Sequence, residues 1–156
     1  MGLDMYLSKK TYVKQWEHNG DDNFKVEVTK KGEVVSHIKP ERVSYIEEEV
    51  GYWRKANHIH RWFVENVQDG KDDCGSYYVE ESQLEELMET CKKVIDNPAL
   101  SEDLLPTQSG FFFGSTEYDE CYMGDVKNTI DIIESLLSER NEKGYVDGSI
   151  YYSSSW

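Results

Sequence analysis

The chain has 156 residues, a formal net charge of -14, 38% hydrophobic residues and 13% aromatic residues. This length suits one domain with a sizeable core, and the aromatic content and periodic segments argue against disorder. The negative field disfavours duplex nucleic acid and anionic membranes, and no apolar run approaches the ~20 residues of a membrane span.

The elements follow in chain order. Leu3-Asp4-Met5-Tyr6-Leu7 alternates apolar and polar residues and predicts a strand, with Tyr12 to Trp16 extended beyond it. Asn19 to Asn23 reads as a turn or loop. Phe24 to Val28 alternates strictly, Lys31-Gly32 makes a short turn, and Val34 to Ile38 returns, which predicts a β-hairpin. Val43 to Tyr52 fits a strand poorly, and a helix after Pro40 competes with it. Tyr52, Ala56, Ile59, Phe63 and Val67 recur at helical spacing and predict a helix over 52–67 with Gly70 as its cap.

A polar loop from Asp69 to Ser76 precedes an extended piece, Tyr77-Tyr78-Val79. A second helix starts near Glu81, with Leu84, Leu87, Met88, Cys91, Val94 and Ile95 inward, and Asn97-Pro98 stops it. Ser101 to Leu105 predicts one helical turn. Gly110-Phe111-Phe112-Phe113-Gly114 is a short buried strand or a tight loop. A third helix covers about Tyr118 to Glu139, and Gly148 to Ser153 predicts a final strand able to pair with the first. The expected fold is α+β, a small antiparallel or mixed sheet packed with about three helices in a single domain over residues 1–156.

The three cysteines, Cys74, Cys91 and Cys121, form no C-x-x-C pair, and there is no signal peptide. A reducing cytoplasm is expected. His58 and His60 lie far in sequence from spaced cysteines, so a zinc site is disfavoured. The excess of acids lies from Glu41 onward. A solvated surface accounts for it, and a basic protein partner or mimicry of DNA are the specific alternatives.

One segment stands against this acidity. Gly51 to Trp62 holds Arg54, Lys55 and Arg61 and no acid. On one helix, Trp53, Asn57, His60 and Val64 would form a line beside the buried stripe, presenting a stacking ring, an amide and an imidazole. Arg54 or Lys55 at the helix start would meet a phosphate. A structural role competes for each: Trp53 as a core ring, His60 as a buried, hydrogen-bonded histidine, Arg54 and Arg61 as partners of glutamates.

A second segment, Leu105 to Tyr118, mixes short hydrogen-bonding side chains, Gln108 among them, with aromatic walls at Phe113 and Tyr118. Helix capping by Ser115 or Thr116 competes with a binding role. In Asp69-Gly70-Lys71-Asp72-Asp73-Cys74 the carboxylates match no EF-hand spacing, and a solvated loop is expected rather than a metal site. Cys74 as a nucleophile near His60 is a weaker alternative. There is no phosphate-binding glycine loop before a lysine, no G-x-S-x-G and no H-x-T or H-x-S pair, so neither a catalytic residue nor a cofactor is expected.

The opening Met1-Gly2-Leu3-Asp4-Met5-Tyr6-Leu7 resembles that of a group of small bacteriophage and prophage proteins. The block Val50 to Asn57 with His60, Trp62, Phe63 and Val64, the triplet Asp72-Asp73-Cys74, the stretch Thr107 to Tyr118 and the ending Tyr151 to Trp156 are similar to the same group. The resemblance spans nearly the whole chain and is weakest over Asn19 to Lys39. It implies a phage protein in an infected host and, by analogy with other phage families, an oligomeric sponge that sequesters a nucleotide-derived immune signal.

On that expectation Trp53 or Trp62 stacks on a base, and Arg54, Lys55 and Arg61 neutralise phosphate. Asn57, His60 and Gln108 read polar edges, while Phe113 or Tyr118 closes a wall. Two rivals stand beside it: an acidic inhibitor or DNA mimic acting on a host defence protein, and a nucleotide-processing enzyme using His60 with Asp73 or Glu117.

Overall fold

The computed structural model describes residues 2–156 and has the expected α+β architecture. Four strands form an antiparallel sheet in the order β4-β1-β6-β5: β1 (Asp4–Tyr12), β4 (Tyr45–Arg54), β5 (Ser76–Val79) and β6 (Ser149–Ser155). The helices α1 (Asn57–Asn66), α2 (Glu81–Asp96) and α4 (Glu120–Leu137) line one face, and α3 (Ser101–Leu104) is a single turn. β6 pairs with β1, Leu7 opposite Tyr152, as the alternation of both segments predicts.

The core forms where the inward side chains of the sheet meet the helices. Leu3, Met5, Leu7, Trp53, Ile150 and Tyr152 pack from the sheet side. Ile59 and Phe63 of α1, Leu84, Leu87 and Cys91 of α2, and Val126 and Ile133 of α4 pack from the other. Their burial removes apolar surface from water at ~25 cal/mol per Å². The Phe63 and Tyr152 rings stack at 3.9 Å between centroids.

The ambiguous segment 43–52 is strand, and the helix expected over 52–67 is shortened to Asn57–Asn66. Residues 45 to 54 instead pair with β1, Met5 opposite Trp53 and Asp4 opposite Arg54. Lys55 then takes a left-handed conformation, φ 57°, and its N–H donates to the Leu3 carbonyl at 2.7 Å. That turn separates strand from helix, so the helical spacing of Tyr52 with Ala56 is coincidental. The line Trp53-Asn57-His60-Val64 accordingly does not exist as one helix face. At the far end the cap is Val67, whose N–H bonds to the Phe63 carbonyl, rather than Gly70, which lies three residues further on, at φ 77°, and reaches the Val64 carbonyl at 2.8 Å.

The hairpin is smaller than its alternation predicts. Lys31 and Gly32 make the turn with φ 52° and 81°, the geometry of a two-residue hairpin loop. The strands flanking it, β2 (Thr29–Lys30) and β3 (Glu33–Val34), have two residues each. Residues 14–44 contribute no buried side chain. An isolated hairpin with nothing to pack on has little reason to extend.

The second face of the sheet carries no helix. Its outward residues on all four strands are half-buried or exposed. A bulge at Val50 sets the register: Leu7 faces Gly51, but Ser8 faces Glu49. Three cross-strand tyrosine pairs result: Tyr6 with Tyr52 at 5.5 Å, Tyr12 with Tyr45 at 5.2 Å and Tyr78 with Tyr151 at 5.9 Å between ring centroids. The free edge, β4, bears Glu47-Glu48-Glu49, charges that resist edge-to-edge pairing. Among the described residues no helix is long and apolar enough to cross a membrane.

Candidate functional site

The sequence-predicted ligand residues divide into two groups. Trp53, Asn57, His60, Trp62 and Phe113 are buried. Trp53 donates its indole N–H to Thr129 Oγ1 at 2.9 Å and meets the Phe63 ring edge-on. Trp62 packs edge-on against the same ring. Neither indole can stack on a ligand without dismantling the core, which corrects that expectation.

Asn57 is saturated. Its amide donates to the carbonyls of Phe113 at 2.9 Å and Ser115 at 2.8 Å, and its Oδ1 accepts the Gln108 N–H at 2.9 Å. It fixes the loop after α3 rather than reading a ligand. Gln108 contributes its backbone to that staple. The Phe113 ring lies edge-on to His60 at 5.4 Å and to Trp156 at 5.9 Å, and its neighbour Phe111 is fully solvent-facing. The glycine-flanked run is therefore a tight loop with Phe113 buried, Phe112 partly buried against the core and Phe111 outward.

His60 is also saturated. Nδ1 lies 2.6 Å from the Tyr152 hydroxyl and Nε2 lies 2.9 Å from Asp72 Oδ1. With the neutral ring protonated at Nε2, Tyr152 donates to the imidazole and the imidazole donates to Asp72. Trp156 Nε1 donates to the same carboxylate oxygen at 3.0 Å. Asp73 turns away to Tyr77 and the Gly75 N–H. The proposed acid-base pairs of His60 with Asp73 or Glu117 do not form, and neither ring nitrogen is left for Cys74. The carboxylates of the 69–74 loop diverge, and no cluster of three or more His, Cys, Asp or Glu among the described residues is arranged to hold a metal.

Arg61 pairs with Glu65 at 2.8 Å and reaches the Thr107 carbonyl at 3.3 Å. Tyr118 packs edge-on to Tyr122 at 5.0 Å, and its hydroxyl accepts the Thr107 N–H at 3.2 Å. Both brace the loop.

Arg54 and Lys55 line one hollow together, while Tyr118 borders a separate, shallower one at the start of α4. The first lies between the β4–α1 corner, the 114–117 loop and the start of α4, and encloses about 190 Å³. The Lys55 stem passes close to Gly114, where a Cβ would come within 3.0 Å of it. Arg54 Nε is 4.0 Å from Asp4 and remains exposed. The lining also includes Glu117, Asp119 and Asp125, together with His58, Ser115, Cys121 and Tyr122.

His58 is the distinctive member. It is 3% exposed and stacks on Tyr122 with ring centroids 4.1 Å apart, yet its Nε2 has no hydrogen-bond partner. A buried polar atom without a partner costs about 1–3 kcal/mol. Burial holds the imidazole neutral and lowers its pKa to about 4. Burial, reinforced by the neighbouring charge of Asp119, raises the Asp125 carboxyl to about 6. Asp119 itself caps α4 by accepting the Tyr122 N–H at 3.0 Å.

The sequence reading missed His58, Glu117, Asp119 and Asp125 as one group. His58 sat inside the basic block as a visible signal. The carboxylates carry none, because only the docking of α4 on the sheet brings them to the corner. No family model, no curated protein and no solved structure matches the chain.

Proposed function

We propose that the chain is a phage-encoded small-ligand binding protein that sequesters a nucleotide-derived signal at the β4–α1 corner. The observation that carries this reading is that His58, whose buried Nε2 has no partner, belongs to the lining of a hollow with Arg54 and Lys55 at its wall. A ligand N–H can satisfy that nitrogen, removing a penalty that the free protein bears. Arg54 and Lys55 suit a phosphate. Glu117, Asp119 and a partly protonated Asp125 suit the amino and ring nitrogen edges of a base.

The hollow's size limits the ligand. About 190 Å³ takes a heterocycle with its attached sugar at the rim, so a mononucleotide or one half of a larger nucleotide is the fitting class. Cys121 shares the lining with His58, but no hydrogen bond joins its thiol to the imidazole Nε2, which has no partner. Binding without turnover is the expected behaviour.

Isothermal titration of the full chain with nucleoside monophosphates, cyclic dinucleotides and ADP-ribose tests the reading. Binding of at least one mononucleotide-containing ligand, weakened by Arg54→Ala, by Lys55→Ala and by His58→Gln, is expected, with the ligand recovered intact. Absence of binding across the panel, or binding indifferent to all three substitutions, overturns it.

A further inference from the structure

We infer that the helix-free face of the sheet is a recognition surface for a protein partner of positive charge. It rests on side chains other than those of the corner pocket, with Arg54 bordering both.

The face is built as a contact surface. A sheet left facing water ordinarily carries charged and β-branched side chains. Here six of the chain's eleven tyrosines are set in three ring-to-ring pairs across neighbouring strands. Tyr12, Tyr45, Tyr52 and Tyr78 are 41–59% exposed. By the strand registers, Ser8, Ser76, Ser149 and Ser153 lie between them. Tyrosine with serine is the composition of protein-binding surfaces, because tyrosine offers a large, rigid, amphipathic contact at low entropic cost and serine adapts its hydrogen bonds.

The face is also concave. The 14–44 excursion brings Phe24, 56% exposed, against Tyr12, Tyr45 and Tyr151, enclosing a cleft of about 780 Å³. Strands of nine, ten, seven and four residues, at ~3.4 Å rise and ~4.8 Å spacing, give a face of roughly 500 Å², to which the Phe24 wall adds.

Charge selects the occupant. The face and its β4 edge carry Glu47, Glu48 and Glu49, and Asp147 lines the cleft. On the strands of this face Lys10 lies over the Tyr151 ring at 4.7 Å, and Arg54 stands at the far end, 4.0 Å from Asp4. A single-stranded nucleic acid would find rings to stack on but would bring its phosphates against the β4 carboxylates. A second copy brings another -14 charges. A basic protein meets carboxylates and tyrosine faces together, and Lys10 already shows one ring accepting an ammonium.

Selection of a display library of random peptides on the full immobilised chain tests this. The expected enrichment is for peptides rich in Arg and Lys, with binding weakened about tenfold or more by Tyr78→Ala and by Tyr45→Ala. Glu47→Lys combined with Glu49→Lys gives a second, charge-only variant with the tyrosines intact, and it should weaken the same peptides. Ellipticity confirms that each variant folds, and His58→Gln should leave peptide affinity unchanged. No enrichment, enrichment of neutral or acidic peptides, or binding insensitive to these variants overturns the inference. Tyrosine-dependent binding of an oligothymidylate probe, or a tyrosine-dependent dimer in sedimentation, overturns it in favour of nucleic acid or self-association.

Discussion

The hydroxyl of Tyr152 lies 2.6 Å from His60 Nδ1, joining the C-terminal strand to α1 across 92 positions of sequence. The bond is wholly buried, and Asp72 holds the other side of the imidazole. Burial pushes the Tyr152 phenol well above its ordinary pKa, so it stays a proton donor. Tyr152→Phe keeps the stack on Phe63 but strands a buried ring nitrogen. The expected loss is about 1–3 kcal/mol, read as a lower denaturant midpoint at unchanged slope.

Asn57 is the corresponding staple for the loop after α3. Its three bonds, to the Phe113 and Ser115 carbonyls and from the Gln108 N–H, span more than fifty positions. Asn57→Ala removes all three at once and leaves backbone groups of the loop unpaired. A destabilisation of about 2–4 kcal/mol is expected. Limited proteolysis should cut first between residues 107 and 118, and cleavage confined to the 14–44 excursion would contradict the assignment.

Gly51 explains how α4 lies so close to β4. A Cβ there would come within 2.7 Å of Ile132 Cγ2 and 3.2 Å of Leu7 Cβ. Gly51→Ala therefore overpacks the helix–sheet contact, at an expected cost of about 1–3 kcal/mol. Removing the clashing γ carbon, Gly51→Ala with Ile132→Ala, should recover part of it in a double-mutant comparison of thermal midpoints.

These contacts show why some of the molecule could be read in advance. α2, α4 and β6 have unbroken periods of two or 3.6, because each packs one face on the core throughout, and β1 alternates in this way as far as Leu7. β4 lacks that clarity. The Val50 bulge resets its alternation midway, and the residues before the bulge lie beyond the helices, so Tyr45 to Glu49 face water on both sides. The Tyr52–Ala56 spacing then imitates a helix across a strand-ending turn. In the site, the cationic pair Arg54 and Lys55 was legible as local composition. Asp119 and Asp125 were not, since their meeting with His58 depends on helix docking. The tyrosine ladder was hidden for a related reason: it emerges only when four strands acquire their registers.

Asp125 illustrates a local sacrifice of stability. Its carboxyl is half-buried near Asp119, and its pKa is raised to about 6 from an ordinary 3.8. Below pH 3.8 the group is protonated whether folded or unfolded and carries no penalty. As pH rises through 6, the unfolded chain has already released its proton and the folded chain resists doing so, so stability falls. Asp125→Asn should thus raise the thermal midpoint at pH 7 to 8, by an amount worth about 1 kcal/mol after allowance for solvent screening. The two proteins should converge near pH 4. An equal offset at all pH values would show that the gain is unrelated to titration.

His58 works in the opposite direction. Buried against Tyr122, its imidazole has a pKa of about 4 where an unfolded histidine has 6.5. The hollow it lines holds Glu117, Asp119 and Asp125 and also Arg54 and Lys55, and burial outweighs the hydrogen bond to the Tyr122 backbone that favours the charged ring. Above pH 6.5 both states are neutral and the full stability is present. As pH falls from 6.5 towards 4, the unfolded chain binds a proton that the folded chain refuses, and stability declines. The gap of about 2.5 units corresponds to about 3 kcal/mol over that window. His58→Phe, which keeps a ring on Tyr122 and removes the titration, should flatten the decline of unfolding free energy between pH 7 and 4. A ligand donating to Nε2 should favour the neutral ring further, shifting the His58 titration seen by NMR to still lower pH. An unshifted titration under saturating ligand would mean that the nitrogen is not part of the binding site.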